Sequence, residues 1–243
     1  MITNEMTRRL MLGGAIALPA LAFAQPAEET WDQRWARELK ADFSMQGRYR
    51  ADNERILAAR EKVDVVFMGD SITQGWRDQR PSFFRPGRVG RGISGQTTPQ
   101  MLVRMIPDVA DLKPRAVHIM AGTNDIAGNT GPMTQEMTRD NIRGMVAIAK
   151  YHKIKVILAS IPPAANFPWR PGMNTLRPIR ELNQWIKRYA AQTGSTYVDY
   201  HPALADAAGA MKPGLANDGV HPTVAGYEAM ERVLTPVLKR VLG

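Results

Sequence analysis

No cysteine occurs among the 243 residues. Disulfides, zinc–thiolate sites, iron–sulfur clusters and a thiol nucleophile are therefore excluded. Histidine is scarce, with four in the chain: His118, His152, His201 and His221. No two of them stand at metal-ligand spacing, so no metal or other cofactor is expected. Beyond the first 24 residues no apolar run reaches the roughly 18 residues that a membrane span needs. Internal repeats, low-complexity tracts and linkers are also missing, which points to one globular unit. What is there is ordinary for such a unit, with 44% apolar and 23% charged residues. A disordered chain and a coiled coil do not have that balance.

The amino terminus reads differently. Thr7-Arg8-Arg9 is followed by an uncharged run from Leu10 to Phe23, and Ala22-Phe23-Ala24 offers a small-x-small cleavage site. Residues 1–24 are expected to be a signal peptide, since the run is too short for a stable span. Gly13-Gly14 and Pro19 are poor material for the alternatives, an uncleaved anchor or a buried helix. The paired arginines also resemble a twin-arginine export signal. The mature chain is expected to start at Gln25, to be periplasmic or secreted, and not to insert in a membrane. Net charge is +9. Export, and the lack of a basic motif interleaved with aromatics, argue against nucleic acid as the partner that explains it.

Short apolar runs alternate with helical patterns. Val63–Met68, Ala116–Met120, Lys155–Ser160, Thr196–Tyr200 and, more weakly, Arg88–Ile93 read as strands that stop at Gly, Pro or Asp. Ile179, Leu182, Trp185, Ile186, Tyr189 and Ala190 share one helical face, as do Met137, Ile142, Met145, Val146 and Ala149. This alternation predicts an α/β chain with a five-stranded parallel sheet between two helical layers. Residues 25–62 form a helical arm ahead of the main unit, 63–243. Ligands of such sheets bind at the carboxyl ends of the strands.

Four loops are expected there: Gly69-Asp70-Ser71-Ile72-Thr73, Gly92-Ile93-Ser94-Gly95-Gln96, Gly122-Thr123-Asn124-Asp125 and, before the last helix, Asp218-Gly219-Val220-His221-Pro222. Each alone is a common turn or helix-entry motif. Together they hold what acyl transfer needs. A serine hydroxyl requires a base within reach, and histidine can supply it. A carboxylate fixes the tautomer of that histidine, and amide donors meet the developing oxyanion.

These four segments resemble the four blocks of the SGNH (GDSL) hydrolase superfamily, in order, across residues 63–230. Thr73-Gln74-Gly75-Trp76 is most similar to the branch with platelet-activating-factor acetylhydrolase-like and carbohydrate acetylesterase-like members. The resemblance implies a flavodoxin-like sandwich and metal-free ester hydrolysis. It implies Ser71 as nucleophile, His221 as base and Asp218 as its orienting carboxylate. Ser71 N–H, Gly95 N–H and the Asn124 amide would form the oxyanion hole. Asp70 and Asp125 are expected to support their loops. Among the other histidines, His118 reads as core and His152 as solvated, while His201 follows a strand and could approach the site.

Arg77, Arg80, Arg85, Arg88 and Arg91 crowd the segment between the serine and glycine loops, and Arg170, Arg177 and Arg180 follow Trp169. One expectation is a rim for an anionic acylated glycan, with Arg85, Arg88 and Arg170 as charge partners and Trp76 and Trp169 as ring contacts. The plainer alternative is a solvated or locally paired surface. The leading functional reading is an exported serine esterase that removes short acyl groups, chiefly acetyl, from a small-molecule or glycan ester. Lysophospholipase or thioesterase chemistry on lipid-like esters is the second reading, and an idle binding module for acylated glycans the third. Oligomeric state is left open.

Overall fold

A computed structural model describes residues 29–243. The expected signal peptide lies outside the described residues. The chain opens with α1 (Trp31–Ala41), where Thr30 and Gln33 form a reciprocal capping box, and with α2 (Arg50–Ala58). It continues through β1 (Val65–Gly69), α3 (Ser71–Gln79), β2 (Arg88–Gly92), α4 (Thr98–Asp108), β3 (Ala116–Met120), α5 (Thr123–Ala127) and α6 (Gln135–Tyr151). Then come β4 (Lys155–Ala159), α7 (Leu176–Thr193), β5 (Thr196–Val198), α8 (His201–Leu204) and α9 (Val224–Leu242).

All strand pairs are parallel, in the order β2-β1-β3-β4-β5. Every residue of β1 and β3 is buried. That is why these strands read as continuous apolar runs, with helices covering both faces of the sheet. On one face α3 packs with α9, joined by Trp76 Nε1–Glu231 Oε1 at 3.1 Å and Tyr227 Oη–Ile72 O at 2.9 Å. On the other, α4, α6 and α7 lie side by side. The chain therefore switches faces between β1 and β3, which opens a crevice at the carboxyl ends of those two strands.

Strand bounds differ from expectation by a residue or two, β1 beginning at Val65 rather than Val63, and two of the expectations shift for clear local reasons. The last strand ends at Val198 rather than Tyr200, because Tyr200 N–H turns to Ser160 Oγ and Asp199 Oδ1 accepts from His201 N. Met137 is 48% exposed rather than part of the apolar face. It sits in the first turn of α6, where Thr138 takes the inward place and donates to Asp125.

The arm is tied to the glycine loop. Tyr49 Oη donates to Gly92 O, and Gln96 Nε2 donates to Ser44 O at 2.7 Å. Asn53 accepts from Arg91 and donates to Asp108, and Asp108 pairs at 2.6 Å with Arg104. Arg104 and Asp108 are fully buried, and Arg104 also donates to Gln96 Oε1 and to Arg91 O. Breaking a buried pair of this kind leaves an uncompensated charge, so every member is held firmly.

Candidate active site

Ser71 is the first residue of α3, directly after β1. Asp70 caps that helix by accepting from Ile72 N at 3.0 Å. The close approach of β2 to this turn requires glycine at 92, where a Cβ would lie 2.7 Å from Asp70 O. Ser71 Oγ stands 2.9 Å from His221 Nε2, and His221 Nδ1 stands 2.7 Å from Asp218 Oδ2. Asp218 Oδ1 accepts from the backbone of Val220 and His221 at 3.0 and 2.7 Å. Partial burial opposes ionisation, but these hydrogen bonds outweigh it and hold the Asp218 carboxyl below its ordinary value. As a carboxylate it accepts a hydrogen bond from Nδ1–H, which keeps the proton on Nδ1 and leaves Nε2 free to accept from the Ser71 hydroxyl.

The facing wall comes from the next two loops. Gly95 has φ +79°, a left-handed conformation that glycine adopts at no steric cost. Asn124, buried at the start of α5, donates from Nδ2 to Gln96 O at 3.0 Å. A cavity of about 220 Å³ lies between these groups, lined by Ser71, Ser94, Gly95, Asn124, Asn129, Trp169 and His221. Ser94 and Asn129 were not anticipated. Asn129 lies five residues past Asn124, just beyond α5, and no local pattern in the sequence singles it out.

Several expected contacts are elsewhere. Trp76 is fully buried, so it cannot touch a substrate. Its ring lies between Phe83 at 5.1 Å and Tyr227 at 5.9 Å, nearly parallel to both. Arg88 pairs in register with Val65, at the amino end of the sheet and opposite Ser71. It donates to Phe83 O and lies 4.3 Å over the Phe83 ring. Arg85 is in the turn just before it. The reason is topological: α3 carries the chain from the carboxyl edge back to the amino edge before β2 begins. Arg77 pairs with Asp78, Arg80 with Glu228 and Glu231, and Arg91 with Asp52, so the cluster is not a rim. Arg170 is beside the cavity but turned onto Ala127 O at 3.0 Å, and does not line it. Trp169 does line it, with its ring 5.8 Å from the His221 ring and stacked on Phe167 at 5.1 Å. His201 sits 2.8 Å from Ile161 O and lines a separate hollow of about 360 Å³. His118 is core, hydrogen-bonded to Tyr200, with burial pushing its imidazole down to about 3. His152 is exposed.

Two carboxyls lie beneath the site. Asp125 accepts from Thr98 and Thr138, and burial pushes it up despite those bonds. Burial pushes Asp70 up to about 6, against the pull of the Ile72 amide and of His221. A carboxyl raised on folding keeps its proton longer in the native state than in the unfolded one. Its ionisation therefore costs stability as pH rises from the unfolded value near 4 to about 6. We expect Asp70→Asn, which preserves the cap acceptor, to gain on the wild type by roughly 2–3 kcal/mol between pH 4 and pH 7. Urea midpoints of both proteins across that range measure it, and a constant difference would show that Asp70 is already ionised at pH 4.

Among the described residues no helix is long and apolar enough to cross a membrane. No group of three or more His, Asp or Glu side chains there is placed to hold a metal ion.

The chain is similar to several known proteins. The sequence model of the GDSL-like Lipase/Acylhydrolase family matches residues 67–229. A solved structure of a candidate acylhydrolase from Bacteroides fragilis is 41% identical, with a TM-score of 0.78 over 83% of this chain and 99% of that one. The acetylxylan esterase of Geobacillus stearothermophilus is 30% identical over 156 residues, 59% of this chain and 68% of that protein. The uncharacterized lipoprotein YqeF of Bacillus subtilis is 34% identical over 118 residues, 41% of this chain. The match spans about half of that lipoprotein, 49%.

Proposed function

The chain belongs to the GDSL-like lipase/acylhydrolase family, whose chemistry is carboxylic ester hydrolysis, and from that premise we propose an exported serine esterase that releases short acyl groups, chiefly acetyl, from a carbohydrate. The observation that carries the mechanism is the unbroken hydrogen-bond chain Ser71 Oγ–His221 Nε2 and His221 Nδ1–Asp218 Oδ2, at 2.9 and 2.7 Å. Ser71 Oγ attacks the ester carbonyl as its proton passes to His221 Nε2. Asp218 stabilises the imidazolium that forms. Ser71 N–H, Gly95 N–H and the free N–H of the Asn124 amide receive the oxyanion. On collapse His221 returns the proton to the departing alkoxide, leaving an acyl-serine. Water, deprotonated by the same imidazole, then releases the acid.

A cavity of about 220 Å³ walled by Trp169 suits a short acyl group better than a long one. The exposed part of Trp169 offers an amphipathic ring beside the base, suited to a sugar. The similarity to an acetylxylan esterase supports the same reading. The arginine-rich segment lies away from the cavity, which favours a neutral ester over an anionic one. Export rests on the leader pattern at residues 1–24.

Chain-length profiling tests this. With p-nitrophenyl esters, kcat/KM is expected to fall about 5–150-fold from acetyl to octanoyl, since overfilling a packed wall costs roughly 1–3 kcal/mol. Acetate should also be released from acetylated xylo-oligosaccharides. Rising activity with chain length would move the substrate to lipid-like esters.

A further inference from the structure

We propose that Asn129 is a positioning residue that sets the direction of the Asn124 amide; the inference rests on the ester mechanism above. Asn129 follows α5 in the turn closed by Gly128 and Gly131, and its own N–H donates to Asn124 O at 3.1 Å. Its side chain reaches three groups of the cavity wall. Nδ2 donates to Asn124 Oδ1 at 2.9 Å and, more distantly, to Gly95 O at 3.3 Å. Oδ1 accepts from Trp169 Nε1 at 3.2 Å.

The indole N–H can only donate, so it fixes which end of the Asn129 amide is oxygen. Asn129 must then present Nδ2 to Asn124. That fixes Asn124 Oδ1 toward Asn129 and Asn124 Nδ2 toward Gln96 O. Turning the Asn124 amide over would set nitrogen against the Asn129 nitrogen and oxygen against the Gln96 carbonyl. Either clash leaves a buried polar group unpaired. Because an amide nitrogen has two hydrogens and Gln96 takes one, the correct orientation leaves one N–H of Asn124 for the oxyanion. The donors all run one way, from Trp169 through Asn129 and Asn124, so each bond polarises the next.

The test is a double-mutant cycle on the full chain. Asn129→Ala alone is expected to lower kcat about 10–100-fold, with KM changed less than about threefold, since an oxyanion donor acts in the transition state. In an Asn124→Ala background, with its activity read on an activated acetyl ester, the same change should cost less than about threefold, because its target is already gone. Asn129→Ser, which keeps a polar hydroxyl in the turn, carries the cycle if the alanine variant folds poorly. Equal losses in both backgrounds, a loss confined to KM, or no loss would overturn the proposal. Ser71→Ala measured in parallel separates the two ideas. If that variant keeps turnover the ester mechanism fails. If it is dead and the cycle is additive, only the role of Asn129 fails.

Discussion

Ser71→Ala is expected to lower kcat by at least about four orders of magnitude, because nucleophile and base act as one unit. Among the described residues Ser71 Oγ has one hydrogen-bond partner, the His221 ring at 2.9 Å. Its removal should change stability by no more than about 0.5 kcal/mol, as for other polar groups outside the core. The pairing of those outcomes is the test: thermal melting unchanged, steady-state turnover lost, and no labelling by a serine-directed fluorophosphonate. Turnover near that of the wild type would remove Ser71 from the chemistry.

Trp76→Ala should have the largest effect on stability, about 3–5 kcal/mol, the usual cost of removing a fully buried indole. The loss has several sources. Phe83 and Tyr227 lose a ring stacked between them, and Glu231 loses a donor at 3.1 Å. Glu231 keeps Arg80, so no charge is stranded. For a domain of this size the melting point should fall by roughly 10 °C. At a temperature where the variant is folded, KM should be near that of the wild type. A normal melting point with a raised KM would return Trp76 to the substrate.

The contrast between these two residues explains what the sequence reveals. Ser71 was readable because β1 ends in Gly69 after a buried apolar run, and the carboxyl edge of a parallel sheet is where its loops converge. The same logic located the loops of Gly95 and Asn124, the His221 loop is read from its place before the last helix, and the structure brings all four around one cavity. Trp76 lies five residues further along, on a helix whose orientation is set by α9, 155 residues away in sequence. No local pattern says which way that indole points. Arg85 and Arg88 are a different case. Following α3 back across the sheet places them at the amino edge, so their remoteness follows from the alternation of strand and helix. Asn129 sits in an Asn-Thr-Gly turn that any surface loop could carry. Its importance comes from Trp169 and Gly95, which reach it from 40 and 34 residues away. The arm contacts of Ser44, Tyr49 and Asn53 are similarly invisible before the chain folds.

The α3–α9 pairing also fixes when the protein becomes competent. Ser71 begins one helix of that pair and His221 lies three residues before the start of the other, so hydroxyl and imidazole meet across a separation of 150 residues. Loop-closure entropy makes such a contact late, costing roughly 4–5 kcal/mol before docking rewards it. During synthesis no working pair exists until α9 has left the ribosome and settled against α3. In refolding, helical signal should return first and serine reactivity last. On the proposed mechanism, the reactivity of this one hydroxyl is therefore a clock for completion of the whole sandwich.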